Sequence, residues 1–189
     1  TSTLDLLPFE TALDEQSSLK FSGLTMNISA NAKAQKVKAD GYMDNLKLVT
    51  VAEDQAGEWV AGFALGLDMT CRDIQKAAKA MGRPWELAKG FDGSAPCSAI
   101  QRASLADLEP FGELVLTRNG REVQRGDWRD MVWSIPALIA EVSRYVRLEA
   151  GDLIFTGTPA GVGPVEPGDE LVARLEGFTE ELRLRVVAA

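Results

Sequence analysis

Three short stretches hold the residue types that could do chemistry. In Leu67-Asp68-Met69-Thr70-Cys71-Arg72-Asp73-Ile74-Gln75, a carboxylate follows an apolar, strand-like run (Trp59 to Leu67) and precedes a helix-like run that Thr70 is placed to cap. A carboxylate at the mouth of a strand, beside a helix N-terminus, is a frequent setting for metal and anion chemistry. Farther on stands Ala88-Lys89-Gly90-Phe91-Asp92, an ammonium in a short loop, and toward the C-terminus Thr156-Gly157-Thr158-Pro159-Ala160-Gly161-Val162-Gly163. One carboxylate, one ammonium and one Gly-rich loop with a hydroxyl can converge on a small oxyacid.

Each of these residues also has a plainer use. An Asp at position 68 suits a helix N-cap as well as a metal ligand. Arg72 and Gln75 are three apart and share one helix face, which serves a solvated surface or a pocket wall equally well. Lys89 fits an exposed loop, and Asp92 can neighbour it in an ion pair. The Gly-rich loop is not a phosphate loop of the nucleotide-binding kind, which needs Gly-Lys-Ser/Thr opening a helix; here Pro164 and Pro167 follow. Its backbone N–H groups and Thr hydroxyls can still face a carboxylate. Cys71 and Cys97 have no basic partner that would make a thiolate, and read as small core residues. Trp59, Trp85, Trp128 and Trp133 read as core or interface.

Composition narrows the chemistry further. The 189 residues are 46% hydrophobic and 25% charged, ordinary for a globular domain, and a net charge of -8 disfavours nucleic acid and anionic membrane as partners. No apolar run reaches the length of a membrane span and no leader pattern opens the chain. Two cysteines without a paired spacing suit a reduced, cytoplasmic setting. There is no histidine, which removes Ser-His-Asp triads, Cys-His dyads and His-based zinc sites; a metal would be bound by oxygen, as magnesium, manganese or calcium are.

The elements that must position these groups are short. Lys20 to Ile28 alternates apolar and polar residues, the period of a half-buried strand, and Lys36 to Asp40 alternates again. Thr11 to Ser18 suits a turn or short helix, Asn27 to Gln35 a loop, and Leu46 to Val51 a β-branched strand. Ala52 to Gly57 predicts a helical turn, Arg72 to Met81 a helix stopped by Gly82 and Pro84, and Pro84 to Lys89 one further turn. Asn119-Gly120 between Glu113–Thr117 and Glu122–Gln124 predicts a hairpin, because both turn residues tolerate positive φ. Ile135, Leu138, Ile139, Val142 and Val146 recur at helical spacing with Pro136 in the first turn. Asp152 to Phe155, Glu170 to Leu175 and Leu182 to Val187 predict strands. Strands and helices do not alternate regularly, so the expected class is a β-rich mixed α/β fold in one compact domain rather than a doubly wound sheet.

Taken together, Leu67–Gln75, Pro84–Asp92 and Gly151–Leu171 resemble the fumarylacetoacetate hydrolase family, which writes these segments roughly as LDxTxRDxQ, PWexAKgFD and GDlIxTGTPxGVGpvxpGDel. Order and separations are similar to those of the subgroup acting on acylpyruvates, fumarylpyruvate and oxaloacetate. The resemblance implies a rolled mixed β-sheet with peripheral helices, a homodimer, a Mg2+ or Mn2+ cofactor and a small 2-keto or 2,4-diketo acid substrate. It makes Asp68 a metal ligand, Lys89 the catalytic pocket lysine, and Arg72, Gln75, Lys89 and Thr158 the substrate-binding set. It covers residues 51–189 as the catalytic core; residues 1–50 form a divergent segment without the family's opening His-Glu lid dyad, which activates water. Loss of that dyad weakens hydrolysis more than decarboxylation or tautomerisation, which need no activated water. The family's remaining metal ligands, an ExE pair, count back to Val37 and Ala39, which cannot bind metal; Asp40 and Asp44 stand nearest. The N-terminal segment then supplies ligands in another way, or the chain lacks part of a native N-terminus, or this is a non-catalytic homologue serving as a binding or assembly module.

Overall fold

The computed structural model describes residues 50–188 in full, and the strand backbone of residues 10–13 and 19–30. In chain order the strands are β1 (Glu10–Leu13), β2 (Leu19–Ala30), β3 (Val60–Cys71), β4 (Glu113–Arg118), β5 (Arg121–Asp127), β6 (Leu153–Phe155), β7 (Glu170–Leu175) and β8 (Leu182–Ala188). The α-helices are α1 (Arg72–Ala80), α2 (Glu86–Lys89) and α3 (Ile135–Ser143), with 3-10 turns at Glu53–Trp59, Leu105–Leu108 and Trp128–Asp130. The class is the mixed, β-rich one expected.

The strands form two sheets. One has the order β1-β8-β7-β4-β5, antiparallel except for the parallel β1–β8 pair; the other has the order β3-β2-β6. Leu65, Leu67 and Met69 of β3 and Leu114, Leu116, Leu171, Ala173, Leu182 and Leu184 of the larger sheet belong to one buried cluster, so the sheets share a core. Helix α3 closes its side with Ile135 and Ile139. Local signals set its start: Ser134 Oγ accepts from Ala137 N at 3.2 Å, and Pro136 stands in the first turn, where no N–H is needed. The helix stops at Ser143, short of the expected Val146, which is half exposed.

β3 carries the site, and it is longer than its sequence suggests. It does not end at Leu67 but runs to Cys71, because both of its edges are paired. β2 lies along one side from Leu19↔Cys71 to Ala30↔Val60. On the other, Met69 N donates to Ser94 O (2.8 Å), Leu67 N to Pro96 O (3.0 Å) and Phe63 N to Gln101 O (2.9 Å), so residues 94–101 act as an irregular extra strand. Gly62 permits this approach, since a Cβ there would fall 2.3 Å from the Gln101 carbonyl oxygen. Thr70 is therefore fully buried within the strand and does not cap α1; the N-cap is Cys71, with no side-chain cap bond. Two N-terminal expectations also change. Thr11–Leu13 is strand rather than turn or helix, held by β8, and residues 27–30 continue β2, held by β6. Of the Leu46–Val51 run, Thr50 and Val51 are not in a strand; its remainder and Lys36 to Asp40 lie outside the described residues.

Candidate active site

Asp68 lies near the C-terminal end of β3, on the side chain that is one-third exposed where its neighbours Leu67 and Met69 are buried. Three residues later the chain turns into α1, reverses through Gly82 (φ +62°), and forms the single turn α2 before returning along β3 at Ser94. This excursion brings Lys89, the last residue of α2, back over the strand. Its Nζ donates to Asp68 Oδ2 at 2.6 Å. The ammonium is thus on Asp68, while Asp92, expected beside it, is exposed on the following loop.

Arg72 and Gln75 face the same way from the first turn of α1. Arg72 Nη1 donates to Gln75 Oε1 at 2.7 Å, and Gln75 is almost fully buried while Arg72 is partly exposed. A buried amide oxygen fixes the direction of a guanidinium that would otherwise sample many rotamers, leaving its outer N–H groups for an anion.

The Gly-rich loop approaches from the other side of the smaller sheet. β6 runs parallel to β3 with β2 between them, and Phe155 and Ala64 share Asn27 as cross-strand neighbour. Beyond Phe155 the chain continues in the direction in which β3 runs toward Asp68. Two strand spacings, about 10 Å, separate the two strands. Thr158 is exposed on this loop. The loop leans on the β4–β5 hairpin: Gln124 Nε2 of β5 donates to the carbonyls of Pro159 (2.9 Å) and Ala160 (3.3 Å), and Arg118 Nη1 of β4 donates to Pro164 O (2.9 Å). Sequence reasoning passed over Gln124. The Asn119-Gly120 turn (φ +52° and +75°) pairs Arg118 with Arg121 and Thr117 with Glu122, and a register shift beyond Thr117 then sets Gln124, rather than Val123, opposite the buried Leu116; no signal in the sequence marks that shift.

Neither cysteine is in a disulfide; Cys71 is in the core as expected, whereas Cys97 is only half-buried, and burial pushes its thiol up to about 11. Trp59 and Trp128 pack against the core, whereas Trp85 and Trp133 are about half exposed. Asp40 and Asp44 lie outside the described residues. Among the described residues there is no group of three or more His, Cys, Asp or Glu side chains able to hold a metal ion, and no helix long and apolar enough to cross a membrane. A shallow hollow lined by Val60, Ala61, Arg102, Ala103 and Ser104 lies at the start of β3, the end opposite Asp68.

An acidic strand end paired to a lysine, a helix-borne Arg-Gln pair and a glycine loop on a two-sheet core define a known class. The chain belongs to the fumarylacetoacetate hydrolase family: the model of the fumarylacetoacetate (FAA) hydrolase C-terminal domain matches residues 44–187. It is 42% identical over 130 residues to a fumarylpyruvate hydrolase from Ralstonia sp (69% of this chain, 67% of that protein). To the mitochondrial oxaloacetate tautomerase FAHD1 of Mus musculus it is 45% identical over 137 residues, covering 72% of this chain and 61% of that protein. The chain thus spans about three-fifths of the length of that tautomerase. A crystal structure of fumarylpyruvate hydrolase from Pseudomonas aeruginosa in complex with Mn2+ and pyruvate superimposes with a TM-score of 0.79 at 34% identity, over 96% of this chain and 72% of that one.

Proposed function

We propose that the chain forms the substrate-handling core of a divalent-metal-dependent enzyme acting on small 2-keto or 2,4-diketo acids of the acylpyruvate, fumarylpyruvate or oxaloacetate type. The observation that carries this reading is the Asp68–Lys89 pair at 2.6 Å, with the Arg72–Gln75 pair in the first turn of the helix that follows β3. The relatives named above, and the related structure holding Mn2+ and pyruvate, support it.

Asp68 fits one hard oxygen ligand of Mg2+ or Mn2+, being a partly exposed carboxylate at the end of a strand. Asp40 and Asp44 remain candidates for further ligands. When bound, the ion supplies positive charge that polarises a keto oxygen. The chain's own residues do the rest. Lys89, held against Asp68, brings a positive charge to the substrate oxygens on which negative charge develops during C–C cleavage, decarboxylation or enolisation. Arg72, aligned by Gln75, binds a carboxylate, and Thr158 with its loop N–H groups holds the carboxylate at the other side of the site.

Two cysteines outside any disulfide suit a reducing compartment such as the cytoplasm. A homodimer belongs to the same proposal, with the exposed Val132 and half-exposed Trp133 before α3 offering apolar area for it.

A second reading, a non-catalytic homologue kept for binding or assembly, rests on the sequence, in which Val37 and Ala39 stand where the family's ExE pair would fall. Turnover of acylpyruvate, fumarylpyruvate and oxaloacetate with Mg2+ or Mn2+, then with chelator, separates the two. Activity lost to chelator and restored by metal is the expected result. Absence of turnover and of metal uptake in folded protein establishes the second reading instead.

A further inference from the structure

The hydrogen bonds from Gln124 to the loop have no role in the chemistry above, yet they tie the larger sheet to the two residues that follow Thr158. Gln124 is 1% exposed, an amide placed among buried aliphatic residues. A buried amide donor is costly unless used, and here it spans two consecutive carbonyls, Pro159 and Ala160, directly after Thr158. Two glycines let the loop come this close. At Gly126 a Cβ would fall 2.7 Å from the Cβ of Pro159; at Gly161 (φ +103°) it would fall 2.2 Å from the Val123 carbonyl oxygen. The loop therefore has one seat on β5, shaped on both sides by missing side chains and locked by one amide.

We infer that Gln124 is a positioning residue for substrate binding: it sets where Thr158 stands over the site without touching substrate. This rests on the proposed keto-acid reading, in which Thr158 meets a carboxylate. Strand β5 is a rigid element of a hydrogen-bonded sheet, so a loop clamped to it is preorganised and loses less freedom when substrate arrives. Loss of the clamp leaves the reacting groups on β3 and α2 in place. The effect falls on binding rather than on chemistry, and so on KM rather than kcat.

The test uses Gln124→Met, which keeps length and volume but has no donor, and Gln124→Glu, whose carboxylate would face the two carbonyls. Gly126→Ala is a third variant that pushes on Pro159 from the other side. Hydrogen exchange across residues 156–163 is measured in each, with melting temperature as the check on folding. For Gln124→Met we expect faster exchange confined to this loop, and a KM raised about tenfold with kcat within about twofold. Gly126→Ala should reproduce both changes, and KM of Gln124→Glu should rise with pH where the wild type's does not. In a Thr158→Ala background the Gln124→Met effect on KM should vanish, since residues acting through one another are not additive. Unchanged loop exchange in a folded Gln124→Met protein, or a KM effect that adds fully to that of Thr158→Ala, overturns the inference. A wild type that turns over none of the keto acids overturns the functional reading alone, and loop exchange still decides whether Gln124 positions the loop.

Discussion

The Lys89 ammonium lies 2.6 Å from Asp68 Oδ2, joining two residues 21 positions apart. Neither is near the other by any local rule; β3, the α1–α2 excursion and the return at Ser94 bring them together. Both side chains are about one-third exposed, so water screens the pair and its share of the folding energy is small, under about 1 kcal/mol. A surface-screened pair maintained by so much architecture points to use rather than to stability. Lys89→Met should therefore lower kcat/KM for an acylpyruvate by about a hundredfold or more while shifting stability by less than about 1 kcal/mol. Steady-state kinetics beside a denaturant titration read both numbers; intact activity would make Lys89 a surface residue.

Gln75 is expected to act through Arg72. Its buried side chain accepts the guanidinium at 2.7 Å, so Gln75→Leu frees Arg72 without opening a cavity. KM should rise about tenfold, and less than it does in Arg72→Ala, because the charge remains but its direction is lost. Equal effects of the two variants on KM would mean that Gln75 itself meets the substrate.

Asp169 gives a pH dependence that is independent of catalysis. Burial acts to raise its pKa, but the Glu166 N–H (2.7 Å), the Asn119 amide (2.7 Å) and the Arg118 guanidinium outweigh it, and the carboxyl lies below its ordinary 3.8. A group with a depressed folded-state pKa contributes stability that is complete above the unfolded value and lost as pH falls through the folded one. Wild-type protein should lose this contribution as pH drops below about 4. Asp169→Asn should be less stable at pH 7, and the gap between the two should close in acid. A gap that stays constant from pH 7 to pH 3 in urea titrations would contradict this.

Cys97 should be slow toward alkylating reagents. With its thiol at about 11, roughly one molecule in a thousand is thiolate at pH 8. Iodoacetamide should label both cysteines readily in denaturant and hardly at all in the native protein, counted by intact mass. Fast native labelling at Cys97 would place it in a more open environment.

How far the sequence could be read follows from what each feature depends on. The Asn119-Gly120 hairpin and the helix with Pro136 in its first turn are set by a few consecutive residues, and both form as expected. Asp68, Arg72, Gln75 and Lys89 were legible as candidates from their motifs, but the Asp68–Lys89 contact was not, because it depends on a chain reversal between them. Thr70 looked like a cap since the apolar alternation ends near it. It is a strand residue because β2 pairs through Cys71 on one side and Ser94 holds Met69 on the other. Thr11–Leu13 shows the same limit: its partner strand among the described residues, β8, lies far along the chain.

The central claim is that Asp68 anchors a divalent metal on which a 2-keto acid is gathered. The most direct measurement is Mn2+ binding by calorimetry, with and without oxalate, in wild-type protein and in Asp68→Asn. Oxalate-enhanced binding in the wild type, weakened about a hundredfold or more in Asp68→Asn while both remain folded, is the predicted result. Equal binding in the two proteins, or none in either, would contradict it.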